Sequence, residues 1–438
     1  MCLIIVPILI YCYTYNKSIT GGEDMQDMSL YSGKRYLMGI LNTLCCCTTH
    51  ILNLVIAPVI IYIAADFGID NATAGYASTL HVLAQGIFIL ISPIMIGWIG
   101  NKRTQIIGLT IMIAGALASY FANSFSMLLV CRFITGMGHG VCSGCSNAVI
   151  AEWMPAKDKS IFITVNGLAI AAITMLSYTC TVPLFHAVGD SWRVLLLALG
   201  IMLVVVNAVW IAFYKDNHAL NEYLKKQNAL EGRKTNAFSG MREALSRRDV
   251  WIYWLFMGFA TVGANGINTY LPQFLQNVRG YTDAASSSVI GIASGIGFAA
   301  TLLGGIVTTA LGKRKVLIIP SMLVCILFLS LSLTLGNPVL ISAAFIVYSV
   351  STNFRGSAQG TVTTELKNGS PALASSASAV SFGIGFIATS LTSPMLKMST
   401  SLLGAERSML VFVPLFVIAL IFGCMLPETG PGRAKKQA

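Results

Sequence analysis

Twelve apolar stretches, each long enough to cross a bilayer as a helix of about 20 residues, follow one another from Tyr36 to Leu426. They fall at 36–64, 74–97, 104–122, 126–150, 161–185 and 192–214, then at 250–273, 284–311, 316–335, 338–364, 371–396 and 408–426. A backbone in hydrocarbon has to satisfy its own N–H and C=O groups, so each stretch is expected to be a helix. Composition points the same way. Of 438 residues, 10% are charged, against roughly 25% in a soluble domain, which is too few to coat a water-facing surface. The expected class is an all-α membrane protein whose twelve transmembrane helices form two pseudo-symmetric six-helix bundles.

Lysine and arginine set the orientation. With the N-terminus inside, 22 of the 28 basic residues lie in cytosolic segments and four, Arg193, Arg279, Lys397 and Arg407, lie outside. The last two, Arg132 and Arg355, fall within spans. The domains are then a cytosolic N-terminal segment 1–35, a six-helix bundle 36–214, a cytosolic linker 215–249, a second bundle 250–426 and a cytosolic tail 427–438. The expected location is the plasma membrane, specifically a bacterial inner membrane, crossed many times with both termini cytosolic. The net charge of +11 sits in short clusters between spans, which favours a membrane surface over a nucleic-acid groove. Met1 to Tyr15 is apolar but too short to span and lacks a basic leader. It reads as an interfacial segment, or as sequence upstream of a start at Met25, Met28 or Met38.

The two halves repeat at a nearly constant offset. Ala65-Asp66-Phe67-Gly68 matches Asn277-Val278-Arg279-Gly280, Lys102-Arg103 matches Lys313-Arg314-Lys315, Glu152 matches Glu365, and Arg193 matches Arg407. A further regularity has a period of three helices. The third, sixth, ninth and twelfth are almost purely aliphatic and read as walls facing lipid. The second, fifth, eighth and eleventh carry small residues for close packing. The first, fourth, seventh and tenth carry polar residues and are expected to line a pathway.

Particular motifs resemble a known family. Arg132-Phe133-Ile134-Thr135-Gly136-Met137-Gly138-His139-Gly140, followed by Ala151-Glu152-Trp153-Met154-Pro155, is similar to the fourth-helix signature of the major facilitator superfamily. Ala65-Asp66-Phe67-Gly68-Ile69 with Ala74-Gly75 resembles its helix 1–2 junction, and Ser191-Trp192-Arg193 its helix 5–6 junction. The seventh-helix exit, with Tyr270-Leu271-Pro272, is similar to that of bacterial cyanate and nitroimidazole carriers. The resemblance implies a carrier whose two bundles rock about a central site. One departure stands out. Where the family usually has an aspartate between helices 2 and 3, Gly97-Trp98-Ile99-Gly100-Asn101-Lys102-Arg103 offers Asn101, which puts the usual aspartate-based inner gate in doubt.

Helical spacing groups the polar residues into stripes. The candidate substrate-binding residues are Arg355, His50, Asn53, His139, Asn265, Asn268, Tyr348, Thr352 and Gln359. An arginine inside a span is costly and usually functional, and a guanidinium suits a carboxylate. The alternative for Arg355 is pairing with helix-end carbonyls or a glutamate. His50 and His139 are candidates to carry a proton or hydrogen-bond a substrate, or to be satisfied packing groups. The structural and gating candidates are Arg132, Gly136, Gly140, Gly144, Glu152, Lys102, Arg103, Lys313, Arg314 and Glu365.

All seventeen acidic residues lie in loops or at span ends, which argues against export of cations and for an anionic or neutral solute. The expected function is alternating-access transport of a small organic or inorganic anion. A multidrug or neutral-solute exporter is the first alternative, and a non-transporting membrane receptor the second. The expected partners are a small-molecule substrate, a coupling proton or counter-anion, and the lipid bilayer, with no nucleic acid and a monomeric chain. No nucleophile–base set points to an enzyme. The eleven cysteines, including the pair Cys142 and Cys145, read as small buried hydrophobes, so no metal and no cofactor are expected.

Overall fold

A computed structural model describes residues 34–154, 156–217, 220, 222, 245–362 and 371–429. Its spans are numbered here α1 to α12. α1 runs Arg35–Phe67, interrupted at Val55; α2 and α3 occupy 76–99 and 101–120; α4 is Phe125–Trp153, α5 Ala156–Ala187 and α6 Trp192–Phe213. In the second half α7 is Arg248–Arg279, α8 Asp283–Leu311, α9 Lys315–Thr334 and α10 Pro338–Thr361. α11 is Pro371–Thr389, continued by Thr392–Leu403, and α12 runs Ala405–Met425. Ten helices among the described residues are long and apolar enough to cross a membrane. One of them, Asn71–Tyr120, crosses twice. α11, broken near Ser390, supplies the remaining crossing, so the chain is a multi-pass membrane protein of twelve spans.

Local chemistry explains the breaks. Pro58 has no N–H to offer Leu54 O and its ring crowds that carbonyl, so α1 bends at Val55. The sequence placed a loop at 98–103. Instead, a single residue, Gly100 at φ +82°, turns the chain between two helices. That backbone region is open to glycine and strained for other residues. The sequence also placed the twelfth span at 408–426. It begins earlier, as a 3-10 turn over Ala405–Phe412, because Pro414 cannot extend an α-helical bond back across it.

The duplication is written into the backbone at an offset of 212 residues. Gly68 and Gly280 end α1 and α7 in the left-handed region, at φ +64° and +70°. Asp70 and Thr282 then accept the N–H of Thr73 and Ala285, capping the helices that follow. Gly100 and Gly312 make the α2–α3 and α8–α9 turns. Asp216 accepts the N–H of Lys102 at 3.0 Å, and Glu428 accepts those of Arg314 and Lys315 at 2.6 and 3.2 Å. A carboxylate following the last helix of each half thus sits on the positive end of that half's third helix.

Each half has its own core. One gathers Leu52, Leu109, Leu203 and Trp210 from α1, α3 and α6. The other gathers Trp254, Phe256, Leu329 and Phe416 from α7, α9 and α12, joined by Ala57 and Tyr178 of the first half. Apolar side chains also point outward in helical register: Val417, Ile421 and Met425 on α12 are 40, 55 and 48% exposed. Leu323 and Leu327 on α9 and Ile201 and Val205 on α6 behave alike. Such stripes belong in hydrocarbon rather than water.

Candidate sites in the two bundles

The first site is made possible by α4. Glycine recurs there at 136, 140 and 144, and α2 packs onto that face. A Cβ on Gly136 would strike His81 O, and one on Gly140 would stand 2.5 Å from Gln85 O and 2.9 Å from Ile89 N. Gly144 lies against the Ser92 side chain. Backbones this close bring side chains of α2 and α4 into direct contact. His81 and His139 are fully buried and joined Nε2 to Nδ1 at 3.0 Å. His81 Nδ1 meets the Thr135 hydroxyl at 2.9 Å, and Gln85 Nε2 approaches His139 Nε2 and Ser143 Oγ at 3.5 Å each. From α1, His50 sets its ring edge-on to His139 at 5.0 Å between centroids, with Nδ1 on Cys46 O at 2.9 Å. Asn53, one turn along α1, is half-buried.

Two further groups flank this cluster. Arg132 is fully buried and donates to Ala77 O at 3.2 Å and Leu52 O at 3.1 Å. It therefore ties α4 to α1 and α2 through backbone carbonyls, with no carboxylate partner among the described residues. Toward the linker, Ser146 Oγ gathers Asn42 Nδ2, Cys46 Sγ and Asn166 Nδ2 at 3.1, 3.0 and 3.1 Å. Cys142 and Cys145 are buried free thiols.

The second site is centred on α10. Arg355 is 2% exposed and donates from Nη1 to Gln359 Oε1 at 2.6 Å. Its guanidinium stands 6.0 Å above the Phe256 ring. Its Nε is buried without an acceptor, and no carboxylate pairs with it among the described residues. Gln359 reaches Met257 Sδ on α7, and Thr352 Oγ1 meets Cys325 Sγ of α9 at 3.4 Å. Tyr348 lies inside this bundle, its ring against Phe345 and Phe416. Asn265 and Asn268 on α7 are half-buried. Asn265 bonds its own helix at Thr261 O, and Asn268 O accepts Tyr178 Oη of α5 at 2.9 Å.

At the linker end, Glu152 is held by Asn101 Nδ2, by Tyr214 Oη at 3.2 Å and by the N–H of Asn217 at 2.7 Å. Asn101 therefore donates to the glutamate, a neutral amide in the position where an aspartate would repel it. Lys102 engages through its backbone, Arg103 and Lys313 are exposed, and Arg314 is buried with Nη1 on Thr308 O. Glu365 lies outside the described residues.

Between mid-span and the opposite end, hydrogen bonds and ion pairs join the two halves. Tyr62 donates to Asp283, which also meets His186 Nε2 at 3.1 Å, while His186 Nδ1 meets Asp190 at 2.5 Å. Thr79 pairs with Ser393 at 2.6 Å, and Lys397 reaches Thr73 and Asp70. Gly75 lies under Tyr270, and Gly86 under the backbone of Gly383 and Ile387. This end is closed.

The model of the family described as Major Facilitator Superfamily matches residues 43–393. The chain belongs to the Major Facilitator Superfamily. Among solved members of this fold is a bacterial homologue of the human lysosomal transporter Spinster, in an inward-facing, unoccupied conformation. It superposes with a TM-score of 0.73 at 15% identity, over 90% of this chain and 97% of that one. Sequence relatives in the superfamily include the Arabidopsis thaliana protein named "Probable inositol transporter 3". It is 24% identical over 306 residues, 60% of this chain and 52% of the relative. The cis,cis-muconate transport protein of Acinetobacter baylyi is 26% identical over 226 residues, 50% of this chain and 52% of the relative. The chain thus spans about half the length of the curated relatives it matches.

Sequence reasoning missed His81, Gln85 and Asn166, because it assigned the second and fifth helices to small-residue packing. The spacing of four between His81 and Gln85 was the available signal, since it places both on one face of α2. It also missed Tyr62, His186 and Asp283, which share no sequence neighbourhood.

Proposed function

We propose that this protein is an alternating-access carrier of a small organic anion, with the linker and both termini on the cytosolic side. Arg355 carries the reading: a buried guanidinium with a spare N–H and no carboxylate among the described residues. Arg132 adds a second buried positive charge. A carboxylate substrate supplies the acceptors that a bidentate guanidinium lacks. The muconate relative transports a dicarboxylate by its name, which is compatible chemistry. With the basic linker inside, the closed end faces outward. A neutral polyol is the second reading, favoured by the half-buried amides of Asn53, Asn265, Asn268 and Gln359 and by the inositol relative.

Thermal unfolding of the purified protein with cis,cis-muconate, glucuronate and myo-inositol separates the two. A ligand at 100 times its Kd adds about 2.7 kcal/mol of apparent stability. Muconate or glucuronate is expected to stabilise the wild type, Arg355→Lys less so, and Arg355→Gln not at all, while ligand-free stability changes little. Stabilisation by inositol alone, or by an anion equally in Arg355→Gln, defeats the anion reading.

A further inference from the structure

Three of the five histidines meet in the first bundle, and their hydrogen bonds determine which nitrogen of each ring holds its proton. A carbonyl oxygen only accepts, so His50 carries its proton on Nδ1, toward Cys46 O. Its Nε2 is left as a lone pair with no hydrogen-bond partner among the described residues. Thr135 gives its hydroxyl proton to Arg132 O at 2.8 Å, so its oxygen accepts from His81 Nδ1–H. His81 Nε2 must then accept from His139 Nδ1–H. The free lone pair of His139 is on Nε2, beside the Gln85 amide. All three rings are neutral Nδ1–H tautomers in this arrangement.

The arrangement has one defect. Gln85 Oε1 is buried without a partner, and the amide nitrogen reaches its neighbours at no better than 3.5 Å. Rotating the amide exchanges its oxygen and nitrogen and offers Oε1 to His139 Nε2. His139 then holds a proton on both nitrogens, donating to His81 Nε2 and to Gln85 Oε1, and no N–H of the ring lacks an acceptor.

We propose that His50, His139 and His81, together with Gln85, form the binding site of a coupling proton. The proposal rests on the carrier reading above. A proton from water binds the Nε2 lone pair of half-buried His50 and passes to Nε2 of His139. His50 returns to its neutral form while the Gln85 amide turns to accept the new N–H. Arg132 is the one charged side chain facing the cluster from α1, α2 or α4 among the described residues, and the nearby Cys46 thiol is turned to Ser146. A protonated His139 places a second positive charge in the same bundle. An anion arriving with the proton offsets it, so proton and anion move in the same direction.

The test uses the full chain in lipid with 15N-labelled histidine, His186 and His218 being replaced by glutamine. Solid-state NMR without substrate, between about pH 8 and pH 5, is expected to show three Nδ1–H rings at the basic end and one doubly protonated ring at the acid end. That signal is expected to vanish in His139→Gln and to vanish or require lower pH in Gln85→Leu, which removes the acceptor but no ring. Three rings that stay neutral throughout, or a doubly protonated ring that ignores both substitutions, overturn the proposal. In proteoliposomes, an inward proton gradient is expected to accelerate muconate uptake, and His139→Gln to lose at least tenfold of that acceleration. Wild-type protein that shows the NMR transition but no muconate flux defeats the anion reading and leaves the proton site standing. Muconate uptake that proceeds at a rate independent of the gradient overturns the proton site.

Discussion

Gly140→Ala tests whether glycine on α4 is what allows the α2–α4 contact. The added Cβ would stand 2.5 Å from Gln85 O and 2.9 Å from Ile89 N. Both are backbone atoms, so no side-chain rotation relieves the clash. Against an ordinary contact of 3.4 Å the first shortfall is about 0.9 Å, and α2 has to retreat by roughly that distance. The His81–His139 bond, now 3.0 Å, would then open to about 3.9 Å, beyond hydrogen-bonding range. Overpacking costs about 1–3 kcal/mol, and a buried polar group left unpaired costs about 1–3 more. The expected loss is therefore about 2–6 kcal/mol. A thiol-reactive dye follows unfolding directly, because Cys45, Cys131, Cys142 and Cys145 are buried until the bundle opens. Gly356→Ala is the control: its Cβ would meet open space, and alanine in a helix is favoured by about 0.5–1 kcal/mol. If Gly140→Ala melts as the control does, close approach is not what holds α2 to α4, and the account of the histidine cluster fails with it.

Two other outcomes follow from the same structure. Tyr62→Phe removes the hydroxyl that donates to Asp283 across the closed end; at about 1.5 kcal/mol for a bond to a charged group, the closed-to-open ratio should fall roughly tenfold. Spin-label distances between α1 and α8 read this directly, and an unchanged distribution shows that the bond does not hold the end shut. In a cysteine-free background, Asn71→Cys and Lys313→Cys should react with an impermeant reagent from opposite sides of the membrane, and reaction of both from one side would invalidate the orientation.

Much of the architecture was legible in the sequence, because lipid imposes rules that act on local stretches of chain. The apolar runs had to become helices, and their number and the single polar interval divided them into two sets of six. The repeats around Gly68 and Gly280 were visible because a left-handed turn restricts residue choice at that point alone. Helix breaks were harder: Gly100 turns the chain within one residue, where hydropathy averaged over a window suggests a longer loop. The candidate sites divide along the same line. Arg132, Arg355, His50 and His139 stood out because each is polar inside an apolar run. What each touches was decided only by packing. Tertiary structure paired His139 with His81 and Gln85, put Arg355 beside Gln359, and brought Tyr62, His186 and Asp283 together from three separate helices. Burial cost is a property of one residue in its segment and can be read along the chain. A hydrogen-bond partner depends on how far apart two helices sit, and in the first bundle that distance was set by three glycines.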